Sequence, residues 1–501
     1  MNSSQLITRN ARKYPNTEAI ISSQGHYTYA QLEQKINQFA HALRNSGVVQ
    51  GDRVCLYMPN TPEFVISYFA IQRIGGIVVP VNAKFKLDEV QFVINHAEAK
   101  CLIVHEMSFP AVEAIEKVDV KIKTGESIDG WNGFELLIES SSDDEINCLA
   151  DEDDLSTILY TSGTTGDPKG VLFSYRNILT VAQMIAVEME VKPESRMLIM
   201  MPLTHSAPLH LFLMAGMVVG ASVVLTPTFT PDLLLKAVSF YKTTHFFGAP
   251  VAYLLTAAQP ALKDHDLSSM KWWVYGGAPL AKEQIEFISQ QFCTDRLTCV
   301  YGLTEAGPSG SILLPEEHGE KTGSIGKRAP LHTELRIVDE YGENVPVGEV
   351  GEIVLLGEGN MVGYYKDEEL TKETYIGKWL KTGDLARRDE DGYLWVVDRK
   401  KDVIISGGVN IYPKEIEDLL VKYEGIQEAA VVGMPHEEWG ETVIAFFVAS
   451  EKVEPEALSS YLRLHIAKYK IPRVFEQVDM LPRNASGKIL KRALKERVNQ
   501  A

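Results

Sequence analysis

The chain has 501 residues, enough for about three structural units of ordinary domain size. Hydrophobic residues make up 45% of it and charged residues 23%, a composition that argues against a disordered, collagen-like or membrane-spanning protein. The formal net charge of −18 gives the surface an average field that repels polyanions, so we do not expect nucleic acid as a partner.

The cysteines and the two ends of the chain indicate in which cellular compartment we expect the protein. The five cysteines include no CxxC pair and are too few for a disulfide scaffold, which favours free thiols, no structural zinc and a reducing compartment. The N-terminal stretch carries charges where a signal peptide needs an apolar core, and the last residues differ from a peroxisomal SKL signal. We therefore expect a cytoplasmic protein.

The first third of the chain alternates helical patterns with short β-rich runs, the order being YTYAQLEQKINQFAHALRNSG, DRVCLYM, EFVISYFAIQRIGG and IVVPVN. This alternation is typical of an α/β fold with a largely parallel sheet. Residues 143–154 contain seven acidic and no basic residues and predict a solvated linker. The stretch 197–231 has no charged residue, but prolines, glycines and histidines divide it. It therefore predicts a buried helix and a buried strand rather than a transmembrane segment.

The last third changes character twice. From 322 to 399, short β-rich pieces separated by Gly, Asp and Pro turns predict a small antiparallel β-subdomain. From 401 to 501 the pattern is that of a separate α+β unit of ordinary domain size. The sequence thus predicts an α/β fold in which a large N-terminal domain of parallel α/β sheets, residues 1–400, includes the β-subdomain and is followed by a small mobile α+β domain, residues 401–501.

A loop rich in glycine and hydroxyl residues offers the clearest chemistry. Two β-rich runs flank it in the segment 157–173, TILYTSGTTGDPKGVLF. It is not a Walker A loop, because that motif needs glycine at Pro168 and Ser or Thr at Gly170. Hydroxyls, loop amides and Lys169 could together hold a phosphate, without a helix dipole; the hydroxyl and glycine candidates are Thr161, Ser162, Gly163, Thr164 and Thr165. The alternative interpretation is a polar surface hairpin.

The string YTSGTTGDPKG resembles the phosphate-loop signature of the adenylate-forming superfamily of acyl-CoA synthetases, adenylation domains and firefly luciferases. Further motifs of that superfamily follow in the expected order, namely YGGAPL (275–280), YGLTE (301–305), KTGD (381–384), DRKKD (398–402), SGGVNIYP (406–413) and PRNASGK (482–488). The resemblance spans essentially the whole chain. It implies an ATP-dependent acid–thiol ligase with Mg²⁺, in which a carboxylate attacks the α-phosphate of ATP and the acyl group of the acyl-adenylate then passes to coenzyme A.

The resemblance also implies the nucleotide site. Glu305 would place a carboxylate on Mg²⁺, a hard ion that prefers oxygen ligands. Thr304 would touch the phosphate, and Asp384, supported by Arg399, would accept hydrogen bonds from the ribose hydroxyls. The adenine slot would be formed by Gly277, Ala278, Tyr301 and Gly302. Isolated from the motif order, Glu305, Asp384 and Arg399 also have ordinary interpretations, as a helix-start acid, a turn residue and a solvated charge respectively.

A two-step reaction is implied by the C-terminal motifs. Lys488 would bind the carboxylate and the α-phosphate during adenylation and be withdrawn when the thiol approaches. Lys401 occupies the family's hinge position, where some relatives have Asp. Gly407 and Gly408 would line the passage for the thiol arm of coenzyme A, since glycine leaves room. His205 matches the aromatic or histidine gate between the acyl pocket and this passage.

The acyl pocket implied by the same motifs is mostly apolar or small, and consists of His205, His210, His245, Phe246, Phe247, Gly248, Ala249, Tyr275, Gly276 and Ser309. No Asp near His205 is available for an ammonium group, which disfavours an amino acid. A medium- or long-chain fatty acid is the leading expectation. An aryl acid of the hydroxycinnamate, benzoate or o-succinylbenzoate type is the alternative, because His210, His245 or Ser309 could bind a polar ring substituent.

Two other functional classes share these motifs: a luciferase-like oxygenase, and a non-catalytic acyl- or nucleotide-binding homologue, which would be expected to lose Glu305 or Lys488. The expected partners are small molecules, a carboxylic acid, ATP and coenzyme A, and homo-oligomerisation stays open. The charge is uneven, because the stretch 463–497 contains ten basic and three acidic residues. The overall acidity therefore does not disfavour phosphate-bearing substrates.

Overall fold

The computed structural model describes residues 2–147, 150–161, 168–483 and 489–500, without the side chains of 499 and 500. Its described residues form two compact units. The first comprises 2–147, 150–161, 168–335 and 355–380, and the second comprises 336–354, 381–483 and 489–500. The domain boundary expected at residue 400 stays a prediction.

Two eight-stranded sheets dominate the described part of the first unit. In spatial order, one contains Ser311–Leu313, Leu297–Tyr301, Trp272–Gly276, His245–Gly248, Arg196–Ile199, Ser222–Leu225, Glu18–Ser22 and Gly25–Thr28. The other contains Gly363–Tyr364, Lys169–Ser174, Leu155–Thr161, Ile77–Val81, Arg53–Tyr57, Cys101–Val104, Val120–Lys123 and Asn132–Gly133. Among the described residues, antiparallel pairs occur at both ends of the first sheet and, in the second, at the end formed by Gly363–Tyr364, Lys169–Ser174 and Leu155–Thr161. The other described pairs of the two sheets are parallel, so the expected parallel α/β architecture is confirmed.

Helices cover these sheets. The α-helices of the first unit are Gln5–Lys13, Tyr29–Asn45, Pro62–Arg73, Leu87–Ala97, Phe134–Glu139, Tyr175–Glu188, Ala215–Val219, Pro231–Tyr241, Pro250–Ala257, Lys282–Phe292 and Glu368–Thr374. The second of them shows why the sequence folds this way: the Thr28 hydroxyl accepts a hydrogen bond from the amide of Gln31, which starts the helix. Leu32, Ile36 and Phe39 then follow at helical spacing and are fully buried.

The charge-free stretch folds largely as expected, as a buried helical segment and the buried strand Ser222–Leu225. Its first eight helical residues, Ala207–Met214, form a π-helix that continues into Ala215–Val219. Insertions of π-helix are frequent at functional sites. No described helix is long and apolar enough to cross a membrane.

The described part of the second unit contains an α+β fold. Its sheet runs in the order Val409–Ile411, Ile404–Ser406, Gly440–Ala449 and Ile426–His436, with Val474–Gln477 pairing parallel to Gly440–Ala449. The helices are Pro413–Val421, Pro455–Arg463 and Lys491–Gln500. One core packs Ile416 and Leu420 against this sheet, and Leu494 packs on its other face with Phe446.

A further sheet of five strands contains Thr333–Val338, Val350–Gly357, Trp379–Arg388, Tyr375–Ile376 and Leu394–Arg399. Trp379–Arg388 pairs antiparallel with Leu394–Arg399, with Asp384 opposite Arg399. These strands lie in the stretch that the sequence predicts to be rich in short β-strands, and short turns connect several of them.

Candidate active site

The phosphate-loop candidate joins two antiparallel strands, as its sequence predicts. Leu155–Thr161 pairs with Lys169–Ser174, and Thr161 is the partner of Lys169 in the register. The ammonium of Lys169 lies 5.5 Å from the ring centre of Tyr364. Four candidates in the loop itself, Ser162, Gly163, Thr164 and Thr165, lie outside the described residues. The described ends of the hairpin thus present Thr161 and Lys169 at one end of the sheet.

The YGLTE segment leaves the strand Leu297–Tyr301 and makes a single turn at Thr304–Ala306. Glu305 is partly exposed, and its Oε1 atom accepts a hydrogen bond of 2.8 Å from the Tyr364 hydroxyl. Its backbone carbonyl accepts a second bond, also 2.8 Å, from the Met361 amide. Tyr364 therefore touches both candidate phosphate-site groups, Lys169 and Glu305.

The segment that carries His205 lies beside the same turn. The Ser206 hydroxyl donates a 3.3 Å hydrogen bond to the Thr304 hydroxyl, which joins two predicted motifs. His205 is largely buried, and this burial lowers the pKa of its imidazole. A neutral ring at this place is compatible with the expected gate, although that role stays a prediction.

His210 lies fully buried in the π-helix. Its Nδ1 atom donates to the Gly307 carbonyl at 2.9 Å, because a carbonyl can only accept, and its ring meets Phe173 edge to face at 5.0 Å. Burial lowers the pKa of His210 to about 4. In the described structure the Nε2 atom has no hydrogen-bond partner, so a neutral His210 keeps an unused acceptor.

His245 differs from His210, although both are buried histidines of the predicted acyl pocket. Its Nδ1 atom is hydrogen-bonded to the Thr244 hydroxyl and its Nε2 atom to the Met189 carbonyl, at 2.7 and 2.8 Å. Both nitrogens are therefore used inside the core. The expectation that His245 binds a ring substituent is corrected on this ground, because the ring has no free nitrogen.

Around His245 the strand alternates its side chains between the two faces of the sheet. Phe246 packs into the core against Trp273, whereas the ring of Phe247 lies 5.9 Å from that of Phe212 in the π-helix. Gly248 is buried at the strand end, and Ala249 precedes the helix Pro250–Ala257. Phe247 therefore faces the side on which the π-helix lies, whereas Phe246 faces the core.

Strand ends provide the remaining candidates of the first unit. The Tyr275 hydroxyl is hydrogen-bonded to His318 at 3.1 Å, and the Ser309 hydroxyl to that of Thr333 at 2.8 Å. A side chain at Gly302 would overlap the Pro308 carbonyl, so this position requires glycine. The remaining candidate residues differ in solvent exposure: Gly276 is buried, Tyr301 and Thr304 are partly exposed, and Gly277 and Ala278 are exposed.

The second unit holds the candidate ribose group. Asp384 is almost fully buried, and its Oδ1 atom lies 2.6 Å from the Arg399 Nε atom. Glu352 accepts a 3.1 Å hydrogen bond from the Gly383 amide and a 2.9 Å bond from the Lys400 ammonium. The strand segment that carries Asp384 is thus held by a carboxylate that the sequence motifs do not identify.

The expected hinge and thiol passage also lie in the second unit. Lys401 is exposed in the short turn Lys400–Asp402. Gly407 and Gly408 are exposed, both have positive φ, and a Cβ at either would meet no atom within 4 Å. Here glycine is required by backbone conformation rather than by lack of space. Lys488 lies outside the described residues.

Reasoning from the motifs missed Tyr364 and Glu352. Tyr364 belongs to the string GYYKD, and Glu352 to a β-rich run, GEIVLLG. Neither has a signal of its own in a single sequence. Tyr364 could have been found only by predicting that the GYYKD segment pairs with the strand that begins at Lys169, because this pairing places the aromatic ring beside the lysine.

The chain is similar to known proteins over almost its full length. The AMP-binding enzyme model matches residues 7–365, and the AMP-binding enzyme C-terminal domain model matches residues 415–488. A feruloyl-CoA synthase from Amycolatopsis sp is 34% identical over 98% of this chain and 97% of its own length. The long-chain-fatty-acid–CoA ligase FadD13 of Mycobacterium tuberculosis is 31% identical over 98% of this chain and 97% of its own length.

A solved structure shares the fold. The crystal structure of the anthranilate CoA ligase AuaEII in complex with anthranoyl-AMP superposes with a TM-score of 0.89 at 28% identity. The match covers 99% of this chain and 97% of that one. Sequence and structure comparisons therefore agree over almost the full length.

Proposed function

Since the chain belongs to the AMP-binding enzyme family and is an AMP-forming acid–thiol ligase, we propose that its substrate is a carboxylic acid with a predominantly apolar body. The enzyme uses ATP and Mg²⁺ to form an acyl-adenylate and coenzyme A to accept the acyl group. The proposal extends to the role of each active-site residue and to the chemical class of the acid.

The contact of Tyr364 with both Lys169 and Glu305 carries the proposal for the site. Attack of a carboxylate on the α-phosphate brings two anions together, so the site must neutralise charge and hold the reactants in line. Lys169 supplies a cation for the phosphate oxygens, and the Thr304 hydroxyl, one residue before Glu305, is a further donor in the same unit. Glu305 contributes no positive charge, and we assign its carboxylate to Mg²⁺, as the resemblance of YGLTE to the family motif implies.

The residues fit magnesium. Mg²⁺ is commonly bound by one or two carboxylates together with substrate phosphates and water. One Glu305 oxygen is used by Tyr364, and in the part of the chain that the structure describes the carboxylate has no cationic partner. The described residues contain no group of three acidic, His or Cys residues that would form a metal site without substrate. Bound there, Mg²⁺ would supply charge neutralisation of the phosphates.

Further roles are assigned by the motifs. We assign Asp384 to the ribose hydroxyls, with Arg399 compensating the buried carboxylate, and Lys488 to the carboxylate and α-phosphate during adenylation. Gly277, Ala278, Tyr301 and Gly302 are proposed to form the adenine slot. Lys401 is proposed as the hinge, and Gly407 and Gly408 as part of the thiol passage.

Two classes of acid are supported. A fatty acid is favoured by the aromatic and aliphatic side chains of the π-helix and by the similarity to a long-chain-fatty-acid–CoA ligase. An aryl acid is favoured by the unused Nε2 acceptor of His210, which could receive a hydrogen bond from a ring hydroxyl, and by the similarity to a feruloyl-CoA synthase. A buried acceptor without a donor is costly, which gives a ring hydroxyl an advantage over a plain alkyl chain.

Pyrophosphate release over a panel of fatty, aryl and amino acids tests these assignments, with and without coenzyme A. We expect release with fatty or aryl acids, and a thioester only when coenzyme A is present. Within the aryl series, a free ring hydroxyl is expected to lower KM relative to the same acid without it, and His210→Phe should abolish that difference. Absence of acid-dependent release from every member of the panel would contradict the proposal.

A further inference from the structure

Tyr364 lies between two groups of opposite charge. Its hydroxyl donates to Oε1 of Glu305 at 2.8 Å, and the Lys169 ammonium lies over its ring, 5.5 Å from the centre. Among the described residues, neither Lys169 nor Glu305 has an ion-pair partner. A buried phenol thus contacts the cation with its ring and the anion with its hydroxyl.

The backbone fixes the ring beside Lys169. The strand Gly363–Tyr364 pairs antiparallel with Lys169–Ser174, and Tyr364 lies opposite Val171. Side chains two residues apart on a strand share a face, so Lys169 is the diagonal neighbour of Tyr364. A 2.7 Å hydrogen bond from the Tyr365 amide to the Gly170 carbonyl continues this pairing.

The other end of the ring is fixed to the YGLTE turn. The Met361 amide donates to the Glu305 carbonyl, so the chain just before Tyr364 is tied to the residue that its hydroxyl contacts. The Tyr364 hydroxyl is a donor, and the Glu305 carboxylate oxygen that it contacts is an acceptor.

We propose that Tyr364 is a positioning residue that keeps Glu305 and Lys169 apart and directs the carboxylate to Mg²⁺ and the ammonium to phosphate. The ring makes a cation–π contact with the Lys169 ammonium, and the hydroxyl donates a hydrogen bond to one carboxylate oxygen of Glu305. The second carboxylate oxygen is thereby left for the metal. This inference rests on the proposed function, because it takes Glu305 and Lys169 as the metal and phosphate groups.

Tyr364→Phe separates the role of the hydroxyl toward Glu305 from that of the ring toward Lys169, since it removes the hydroxyl and keeps the ring. Mn²⁺ is used as a paramagnetic substitute for Mg²⁺, and its binding to the full-length enzyme with α,β-methylene-ATP is followed by electron paramagnetic resonance, without any acid. We expect Mn²⁺ affinity to fall about tenfold, the effect of losing one hydrogen bond to a charged group. Nucleotide affinity measured in EDTA should stay within about twofold, because the contact with Lys169 is retained.

Three further variants complete the test. Tyr364→Leu removes ring and hydroxyl and should weaken nucleotide binding in EDTA as well. Tyr365→Phe is the matched control, because its hydroxyl only approaches the Ala97 carbonyl at 3.5 Å, and it should bind Mn²⁺ like the wild type. In a Glu305→Gln background, Tyr364→Phe should cause no further loss, since the hydroxyl acts through the carboxylate.

The outcomes are decisive. Wild-type Mn²⁺ affinity in Tyr364→Phe, or an equal loss in the Glu305→Gln background, would overturn the inference; the second result would show a merely structural role. Thermal unfolding of each variant identifies a folding defect, which would likewise appear in both backgrounds. Because binding is measured without acid, failure of this inference is distinguishable from failure of the proposed ligase reaction, which the pyrophosphate panel measures.

Discussion

Replacing Asp384 by Asn tests the ribose assignment with little change in shape. The carboxylate is almost fully buried and is held by the Arg399 guanidinium, at 2.6 Å from its Nε atom, on the neighbouring strand. Asn keeps one carbonyl acceptor but loses the charge and the second oxygen. Arg399 is 38% exposed, so water can hydrate its guanidinium once the partner is neutral, and the fold should tolerate the substitution.

The expected size follows from the hydrogen bonds lost. A hydrogen bond to a charged group contributes about 1.5–3 kcal/mol, which corresponds to roughly 10- to 100-fold in affinity. Asp384→Asn should therefore raise the Kd for ATP by roughly 10- to 100-fold if the carboxylate accepts from both ribose hydroxyls. The rate of thioester formation from pre-made acyl-adenylate at saturation should change much less.

Calorimetric titration with ATP and with 2′,3′-dideoxy-ATP supplies the control within the ligand. The dideoxy nucleotide lacks both hydroxyls, so the wild type should bind it weakly and Asp384→Asn should bind it equally weakly. An equal loss of affinity for both nucleotides would refute the reasoning, because Asp384 would then act on the fold or on another part of ATP.

Three other substitutions have separable results. Lys488→Ala should suppress pyrophosphate release far more than thioester formation from pre-made acyl-adenylate, and equal losses would refute the division between the steps. Glu305→Gln should weaken ATP binding in Mg²⁺ but strengthen it in EDTA, because a carboxylate without its metal repels the phosphates; a loss in both media would exclude Glu305 from the phosphate site. Burial lowers the pKa of His210 to about 4, below the unfolded value near 6.5, so protonation favours the unfolded state as pH falls from 6.5 to 4. The resulting decrease in the free energy of unfolding, up to about 3 kcal/mol, should be smaller in His210→Gln, as measured by urea unfolding between pH 7 and 4.5. An unchanged pH dependence of the unfolding free energy would contradict the burial argument.

The fold was largely predictable because hydrophobic periodicity and turn residues are local signals. Strands on both sides of the phosphate-loop candidate follow from TILYT and GVLF, and the structure confirms them as Leu155–Thr161 and Lys169–Ser174. The π-helix Ala207–Met214 was not predictable. An apolar run has no sequence feature that distinguishes a π-helix from an α-helix, since the choice depends on what the run packs against.

The site was only partly predictable, for a physical reason. Motifs identify residues whose neighbours in sequence are informative, such as Glu305, whereas Tyr364 acquires its place through a strand pairing nearly 200 positions away in the chain. His210 and His245 look alike in the sequence, yet only the structure shows that His245 has both nitrogens satisfied and His210 has one free. A buried histidine can offer a ligand only what the core leaves unused.

Charge in this protein has to be judged locally. The net charge of −18 disfavours polyanion binding only on average, and in the described part of the candidate phosphate site one acid and one base contact the same tyrosine. At such distances, fields from individual groups outweigh the screened field of the remaining surface. Since Glu305 and Lys169 cancel in the sum, the proposed site would owe its positive charge toward ATP to Mg²⁺ and to Lys488. The acidic composition is therefore compatible with a triphosphate substrate, provided that Mg²⁺ accompanies it.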